Sequence, residues 1–263
     1  MKISIIIPAH NEEKRISNTL EEYCKFFEKR KKNKELKDFE ILVVLNACKD
    51  RTIDVVKKTE RKFKEIKHIE FEQGGKGFAI KEGFRYSIKK DFDLIGFVDA
   101  DMSTSPEEYF RLASQINSYD GIIASRYLPM SIVKPKPKFL RMIVSRIFNF
   151  LIRSSFFFPY LDTQCGAKVF KKEAIKIVLP YLIITQWAFD VDLLYLLRKK
   201  RFKIKEVPTV WSDKEYSKIN FIRAGPFMIL SLIRLRILNS PLYGIVKIYD
   251  KMPGWIKIHN KLR

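Results

Sequence analysis

The sequence predicts an α/β fold: a mostly parallel central sheet with flanking helices. Three observations carry that prediction. Short apolar runs alternate with polar segments of helical period through the first half of the 263-residue chain. The runs are continuously apolar, as strands are when both faces of a parallel sheet are covered. The chemically versatile residues at Pro8–Glu12, Asn46, the Gly74–Gly77 loop, Asp99 and Asp101 all fall just after an apolar run. In open α/β sheets, ligands gather at those carboxyl ends of the strands.

Taken in order, ISIII (3–7) reads as the first strand and stops at Pro8. Its apolar stretch is too short for a signal peptide and is expected to be buried. A helix is expected from about Asn11, and the basic run KFFEKRKKNKELK (25–37) reads as its solvated end and the following loop. FEILVVL (39–45) is a second strand, with a helix from about Asp50. IKHIEF (66–71) is a third, leading to a helix from Gly77. LIGFV (94–98) is a fourth, leading to a helix from Pro106, and DGIIAS (120–125) is a fifth. KPKPK (134–138) breaks the composition, and its prolines mark a loop.

Beyond that loop the pattern changes. In FLRMIVSRIFNFLIR (139–153), Arg141, Ser145, Asn149 and Arg153 recur every four residues, so a helix gathers them into one polar stripe beside a broad apolar surface. At about 1.5 Å per residue such a helix is shorter than the roughly 30 Å hydrocarbon core of a bilayer. Apolar, flanked by arginines and followed by SSFFFPYL, it is expected to lie in a membrane interface; a core helix under a cap is the plainer alternative. PFMILSLIRLRILNSPLYGIV (226–246) carries Arg234 and Arg236 near its centre and is not expected to span. The chain therefore divides into a domain at 1–220, with interface helices at about 139–158, and a basic, apolar helical tail at 221–263.

Lys and Arg number 51 against 30 Asp and Glu, a net charge of +21. Nucleic acid, anionic lipid and phosphorylated substrates all attract such a surface. No helix-turn-helix, zinc-finger or RNP-type aromatic motif supports nucleic acid as the partner. The three cysteines, Cys24, Cys48 and Cys165, lack CxxC spacing, so neither a disulfide framework nor a zinc site is expected.

The stretch LIGFVDADMSTSP (94–106) holds two aspartates one residue apart at the end of a strand. Such a pair binds a divalent cation through hard oxygen ligands, and the cation then holds a diphosphate. A phosphohydrolase reads the same residues differently, the first aspartate as nucleophile and the second as acid and base. An N-cap for the following helix is the plainest alternative. The phosphohydrolase pattern normally ends the first strand, whereas three strands precede it here.

IIIPAHNEEKRI (5–16), GGKGFAIKEG (74–83), SRY (125–127), DTQCGAKVF (162–170), the Trp187–Asp192 segment and VPTVWSDKEYSKI (207–219) occur together with the Asp pair. As a set they resemble the inverting family 2 glycosyltransferases. The resemblance is closer to the branch that makes polyprenyl (dolichyl) phosphate sugars, and it covers roughly residues 2–220. DTQCGAKVF is especially similar to the dolichyl-phosphate glucosyltransferase pattern. The resemblance implies a GT-A nucleotide-sugar-binding fold with amphipathic membrane-interface helices. It implies transfer of a hexose, glucose from UDP-glucose or mannose from GDP-mannose, to a polyprenyl phosphate by an enzyme held peripherally on the cytosolic face of a membrane. A soluble sugar or glycan acceptor is the alternative.

Residue by residue, the resemblance places Pro8, Ala9, His10, Glu12, Asn46, Lys76 and Ala100 around the nucleotide sugar, with Asp99 and Asp101 holding Mg²⁺ or Mn²⁺. Asn46 stands where the family usually has an Asp contacting the base, and of the Asp-Gly-Ser-x-Asp pattern only Asp50 is retained. Ser103 stands where some mannosyl-transferring relatives have a metal-holding Gln. His10 receives no catalytic role. The acceptor is a phosphate monoester, anionic at neutral pH, and needs positioning cations more than a base. Arg126 leads that set, with Arg141, Ser145 and Lys218 behind it. Asp190 and Asp192 open a helix and are either catalytic or ordinary N-terminal acids.

Overall fold

A computed structural model describes residues 1–135, 139–183, 188–212 and 221–240, with no side chains described at 139–141 and 221–228. Its core is a seven-stranded sheet. The first half of the chain runs β1 (Lys2–Ala9), α1 (Ile16–Lys32), β2 (Asp38–Asn46), α2 (Thr52–Lys62), β3 (Ile66–Phe71), α3 (Lys76–Ser87), β4 (Leu94–Phe97), α4 (Pro106–Ala113) and β5 (Gly121–Ser125). Then come β6 (Ile132–Lys134), α5 (Phe139–Phe156), β7 (Lys168–Lys171), α6 (Lys172–Val178), a 3₁₀ turn, α7 (Phe189–Lys199), β8 (Ile204–Pro208), β9 (Val210–Ser212) and α8 (Phe221–Leu238).

The sheet order is β3-β2-β1-β4-β7-β5-β8. Every neighbouring pair is parallel except those made by β7, which runs antiparallel between β4 and β5. A separate two-stranded ribbon pairs β6 with β9. Side chains alternate across a strand, so Ile3, Ile5 and Ile7 pack on one face with Ile16, Leu20, Tyr23 and Phe27 of α1. Ile6 packs on the other face with Leu42, Val44, Phe84 and Phe97. Helices on both faces explain why these strands read as unbroken apolar runs.

The first helix begins at Ile16 rather than near Asn11. Asn11 sits at φ 54°, which a helix cannot continue. The intervening turn is held instead, with the Glu12 N–H donating to Thr52 Oγ1 at 2.7 Å. The second helix starts at Thr52, whose N–H donates to Asp50 Oδ1 at 3.0 Å in the turn that precedes it. At α4, Ser105 Oγ accepts from the Glu108 N–H at 3.3 Å and Pro106 fills the first helical position.

Helices α5 and α8 pack against each other. Ile152 and Phe156 of α5 join Leu232 and Leu235 of α8 in the core that contains Ile6 and Phe97. The outer faces leave Ile147, Leu151, Ile229, Leu230 and Ile233 exposed, with Phe150 at 65%, and Phe157, just past the end of α5, is 74% exposed. Among the described residues no helix is long and apolar enough to cross a membrane. The expected domain boundary at 220 lies outside the described residues.

Candidate active site

The carboxyl ends of β1, β2 and β4 converge with the start of α3. The loop that follows β4 is anchored from both sides. Thr19 Oγ1 donates to the Ala100 carbonyl at 2.7 Å, and the buried Tyr23 hydroxyl donates to the Thr104 carbonyl at 2.8 Å. On the far side the Ser212 N–H donates to the Ser103 carbonyl at 2.8 Å. Asp101 Oδ1 accepts the Ser103 N–H at 2.9 Å. The Ser103 hydroxyl is buried without a hydrogen-bond partner among the described residues.

Asp99 is held by two elements. The Lys76 ammonium, at the first residue of α3, pairs with Oδ1. Oδ2 lies against Gly166, where an added Cβ would force Asp99 to move. Burial pushes the Asp99 carboxyl up, but Lys76 foremost, with Lys168 and Arg126, outweighs it and holds the group below the usual carboxylate range. Burial likewise opposes the charge on Lys76, and Asp99, Asp190 and Asp101 overcome it, raising the ammonium above the ordinary lysine value. Gly75, the residue before α3, takes φ 126°, a conformation only glycine adopts without strain.

A second layer of charge stands behind this one. Arg126 donates through its backbone N–H and Nε to Asp162 Oδ2, at 3.0 and 2.7 Å, and through a terminal nitrogen to Oδ1 at 3.0 Å. Its guanidinium also faces the Trp211 ring at 5.3 Å. Glu206 accepts the N–H groups of Leu161 and Asp162 at 2.8 and 2.6 Å. The fully buried Lys168 donates to Asp190 Oδ1 and to the Cys165 carbonyl, both at 2.6 Å. Asn149 of α5 accepts the Thr163 N–H at 3.3 Å. The DTQCGAK segment is thus fixed at four successive points and delivers Gly166 to Asp99. Cys165 is buried, and burial pushes its thiol up to about 11.

On the opposite wall, Pro8 is half-buried and Ala9 buried, with the exposed His10 beside them. His10 Nδ1 lies 2.8 Å from the Asn46 carbonyl. The hydrogen-bond partners orient the Asn46 amide: Nδ2 donates to the Ala9 carbonyl at 2.7 Å, and Oδ1 accepts the Gly75 N–H at 3.0 Å. Asn46 thus ties the end of β1 to the glycine loop, and both its polar atoms are used within the protein. Glu12 pairs bidentately with Arg15.

The structure therefore brings Lys76, Asp99 and Asp101 together, with Arg126 and Asp190 one layer behind them. Arg126 is committed to Asp162 and Asp190 to Lys168. Ser145 Oγ is 2.6 Å from the Tyr127 hydroxyl. The Arg141 side chain and Lys218 lie outside the described residues. Nearby, Arg146 and Arg153 line a pocket of about 190 Å³ with Tyr127, Asn149, Phe150 and Leu161. Arg153 Nε is buried there without a partner, and neither arginine has an ion pair among the described residues.

Asp99 and Asp101 offer hard oxygen donors, and a cation, the Lys76 ammonium, already stands on Asp99. The pair fits Mg²⁺ or Mn²⁺ with the remaining ligands drawn from phosphate oxygens and water. Among the described residues the grouping of three or more candidate ligands is Cys24, Glu28 and Glu65, beside the amino end of β3 and away from this site.

Sequence reasoning assigned no role to Asp162, Gly166, Lys168, Asn149 or Glu206. Asp162, Gly166 and Lys168 were visible as polar or glycine positions in DTQCGAKVF. Nothing in their spacing says which partner each one meets.

Residues 4–179 match the family model described as glycosyl transferase family 2. The chain is 31% identical, over 89% of its length and 73% of the relative, to a dolichyl-phosphate beta-glucosyltransferase of Trichomonas vaginalis. It is 32% identical, over 94% of its length and 76% of the relative, to the dolichyl-phosphate beta-glucosyltransferase of Dictyostelium discoideum. Glucosyl-3-phosphoglycerate synthase from Mycobacterium tuberculosis, solved with Mn²⁺ and UDP, has a similar fold. Its TM-score is 0.64 at 15% identity, covering 90% of this chain and 78% of that one.

Proposed function

Because the chain belongs to glycosyl transferase family 2, we propose that it transfers glucose from UDP-glucose to a dolichyl or other polyprenyl phosphate, working peripherally at the cytosolic face of a membrane. The observation that carries the donor half is the convergence of Asp99, Asp101 and Lys76 at the amino end of a 12-residue helix. Backbone N–H groups and the helix dipole there favour an anion. Diphosphate is the anion that a carboxylate pair and a lysine are equipped to hold together. The acceptor half rests on likeness to dolichyl-phosphate beta-glucosyltransferases over most of the chain.

In this mechanism a phosphate oxygen of the acceptor attacks the anomeric carbon as its bond to the UDP oxygen breaks, and UDP leaves with the bonding pair. A phosphate monoester has a second pKa near 6, so its oxygen arrives anionic and no residue need remove a proton. Asp99 and Asp101 would hold Mg²⁺ or Mn²⁺, which neutralises charge developing on the departing diphosphate. Lys76 adds a cation on the same side. Arg126, fixed by Asp162, sets the field on the acceptor side. Arg146 and Arg153 offer guanidinium groups free to meet a lipid phosphate.

The outer faces of α5 and α8 fit the membrane half of the reading. Exposed Phe150, Phe157, Ile147 and Ile233 stand beside Arg146 and Arg236, apolar groups for the acyl boundary and cations for anionic head groups. The test is purified protein with Mn²⁺, UDP-glucose or GDP-mannose, and either polyprenyl phosphate in vesicles or soluble sugar acceptors. The expected product is glucosyl polyprenyl phosphate. Transfer only to soluble acceptors, or from neither donor to any polyprenyl phosphate, would overturn the proposal.

A further inference from the structure

Lys76 holds a carboxylate that a metal ion would draw on. Its ammonium takes Oδ1, while Oδ2 is pressed against the Gly166 backbone. Asp101 Oδ1 accepts the Ser103 N–H, so in this conformation protein donors already draw on one oxygen of each carboxylate. Mg²⁺ and Mn²⁺ demand several hard ligands, so without phosphate oxygens this partly engaged pair holds either ion weakly. A metal approaching Asp99 must also displace a like charge.

We propose that Lys76 is an exchange cation: it holds Asp99 until a nucleoside diphosphate arrives, then transfers to the diphosphate and releases Asp99 to the metal. This rests on the donor reading above and adds an order to it. Both members of the ion pair are partly open to solvent, Lys76 by 42% and Asp99 by 33% of their side chains, so the exchange requires no repacking. Lys76 lies on the first turn of α3, whose N–H groups face the same anion. The diphosphate thus supplies what Lys76 loses on leaving Asp99, and the metal supplies what Asp99 loses. Metal and nucleotide therefore bind with positive coupling, and each strengthens the other by the same factor. The donor enters as its metal complex, and metal alone is held weakly.

The experiment titrates the full chain with Mn²⁺, following free ion by electron paramagnetic resonance, first without and then with saturating UDP. Wild-type protein is expected to bind Mn²⁺ weakly alone and roughly 5–150-fold more tightly with UDP, the usual range of such coupling. Lys76→Gln is expected to bind Mn²⁺ alone about tenfold more tightly and to lose most of the coupling, a tenfold change being worth about 1.4 kcal/mol. Lys76→Arg keeps the charge and should retain the coupling. Adding Asp101→Asn to Lys76→Gln should erase the gain, tying it to this pair. Thermal melting establishes that each variant is folded. Equal Mn²⁺ affinity in wild type and Lys76→Gln, or coupling that survives the substitution, overturns the exchange. Failure of wild type to bind UDP with any divalent ion overturns instead the donor reading on which it rests.

Discussion

Gly166 and Asp99 touch backbone to carboxylate: a methyl group on Gly166 would stand 1.9 Å from Asp99 Oδ2. Gly166→Ala must therefore push Asp99 off its position or shift the loop. A buried overpacked methyl costs about 1–3 kcal/mol, and a 1 Å displacement of a reacting group costs about 10²-fold in rate. The variant is expected to melt somewhat lower but fold, with kcat reduced about 10²-fold. Wild-type turnover in a folded variant would show that the contact does not position Asp99.

Asp162 gives the clearest pH dependence. Burial alone would raise its carboxyl, but the bidentate Arg126 outweighs burial and depresses it. A depressed folded value means the stabilisation is fully present above the unfolded aspartate value of about 3.9 and is lost as pH falls below it. Asp162→Asn should remove about 3–5 kcal/mol at neutral pH, because it strands a buried guanidinium. It should also flatten the acid limb of the stability curve. Urea unfolding at neutral pH and near pH 3 measures both.

Asn46→Asp would restore the residue type usual in the family at the expense of this chain's own wiring. The new carboxylate would face the Ala9 carbonyl at 2.7 Å, where an amide N–H now donates. Losing that bond and burying two acceptors together is expected to cost about 1–3 kcal/mol. A rise in the Michaelis constant for the donor should accompany it as the Gly75 loop loosens. Calorimetry and donor titration check the two effects, and an unchanged melting temperature would refute the assigned role.

Asp99→Asn and Asp101→Asn are each expected to lower glucosyl transfer by about 10²-fold or more, the scale of losing one electrostatic stabiliser of a developing charge. Neither parent nor variant should release phosphate from simple esters. Phosphatase activity in the parent, abolished in Asp99→Asn, would revive the nucleophile reading of the pair.

Phe150→Glu with Phe157→Glu should abolish flotation with anionic vesicles while leaving the melting temperature nearly unchanged. Both side chains are exposed and away from the core. Flotation equal to wild type would show that Phe150 of α5 and Phe157 just beyond its end are not what meets lipid.

Most of the site's front was legible because period and punctuation mark strand ends. Five strands and the positions of Asp99, Asp101, Lys76 and Asn46 followed from that alone. β7 was not legible as a strand: KVFK is short, its Lys168 is buried, and it runs against its neighbours. A lysine in an apolar run ordinarily argues for a surface, and only its partner Asp190, 22 residues later, reverses the argument. The same limit hid the pairing of Arg126, singled out from the sequence, with Asp162, 36 residues away, which is made by topology rather than by local pattern. The first helix start was misjudged because Asn11, at positive φ, spends residues on a turn before Ile16.

The antiparallel placement of β7 has a consequence for the order in which the chain becomes an enzyme. Strands β3-β2-β1-β4 form one contiguous half of the sheet from residues before 98, and β5-β8 form the other. β7 is the splice between them. Without Lys168–Lys171, Asp99 follows a strand of one half and Arg126 a strand of the other, with no strand joining the two. The segment that closes the sheet is continuous with the loop that seats Gly166 on Asp99. Closing the sheet and seating Gly166 on Asp99 are therefore one event, which the later α7 and β8 secure by bringing Asp190 to Lys168 and Glu206 to Asp162.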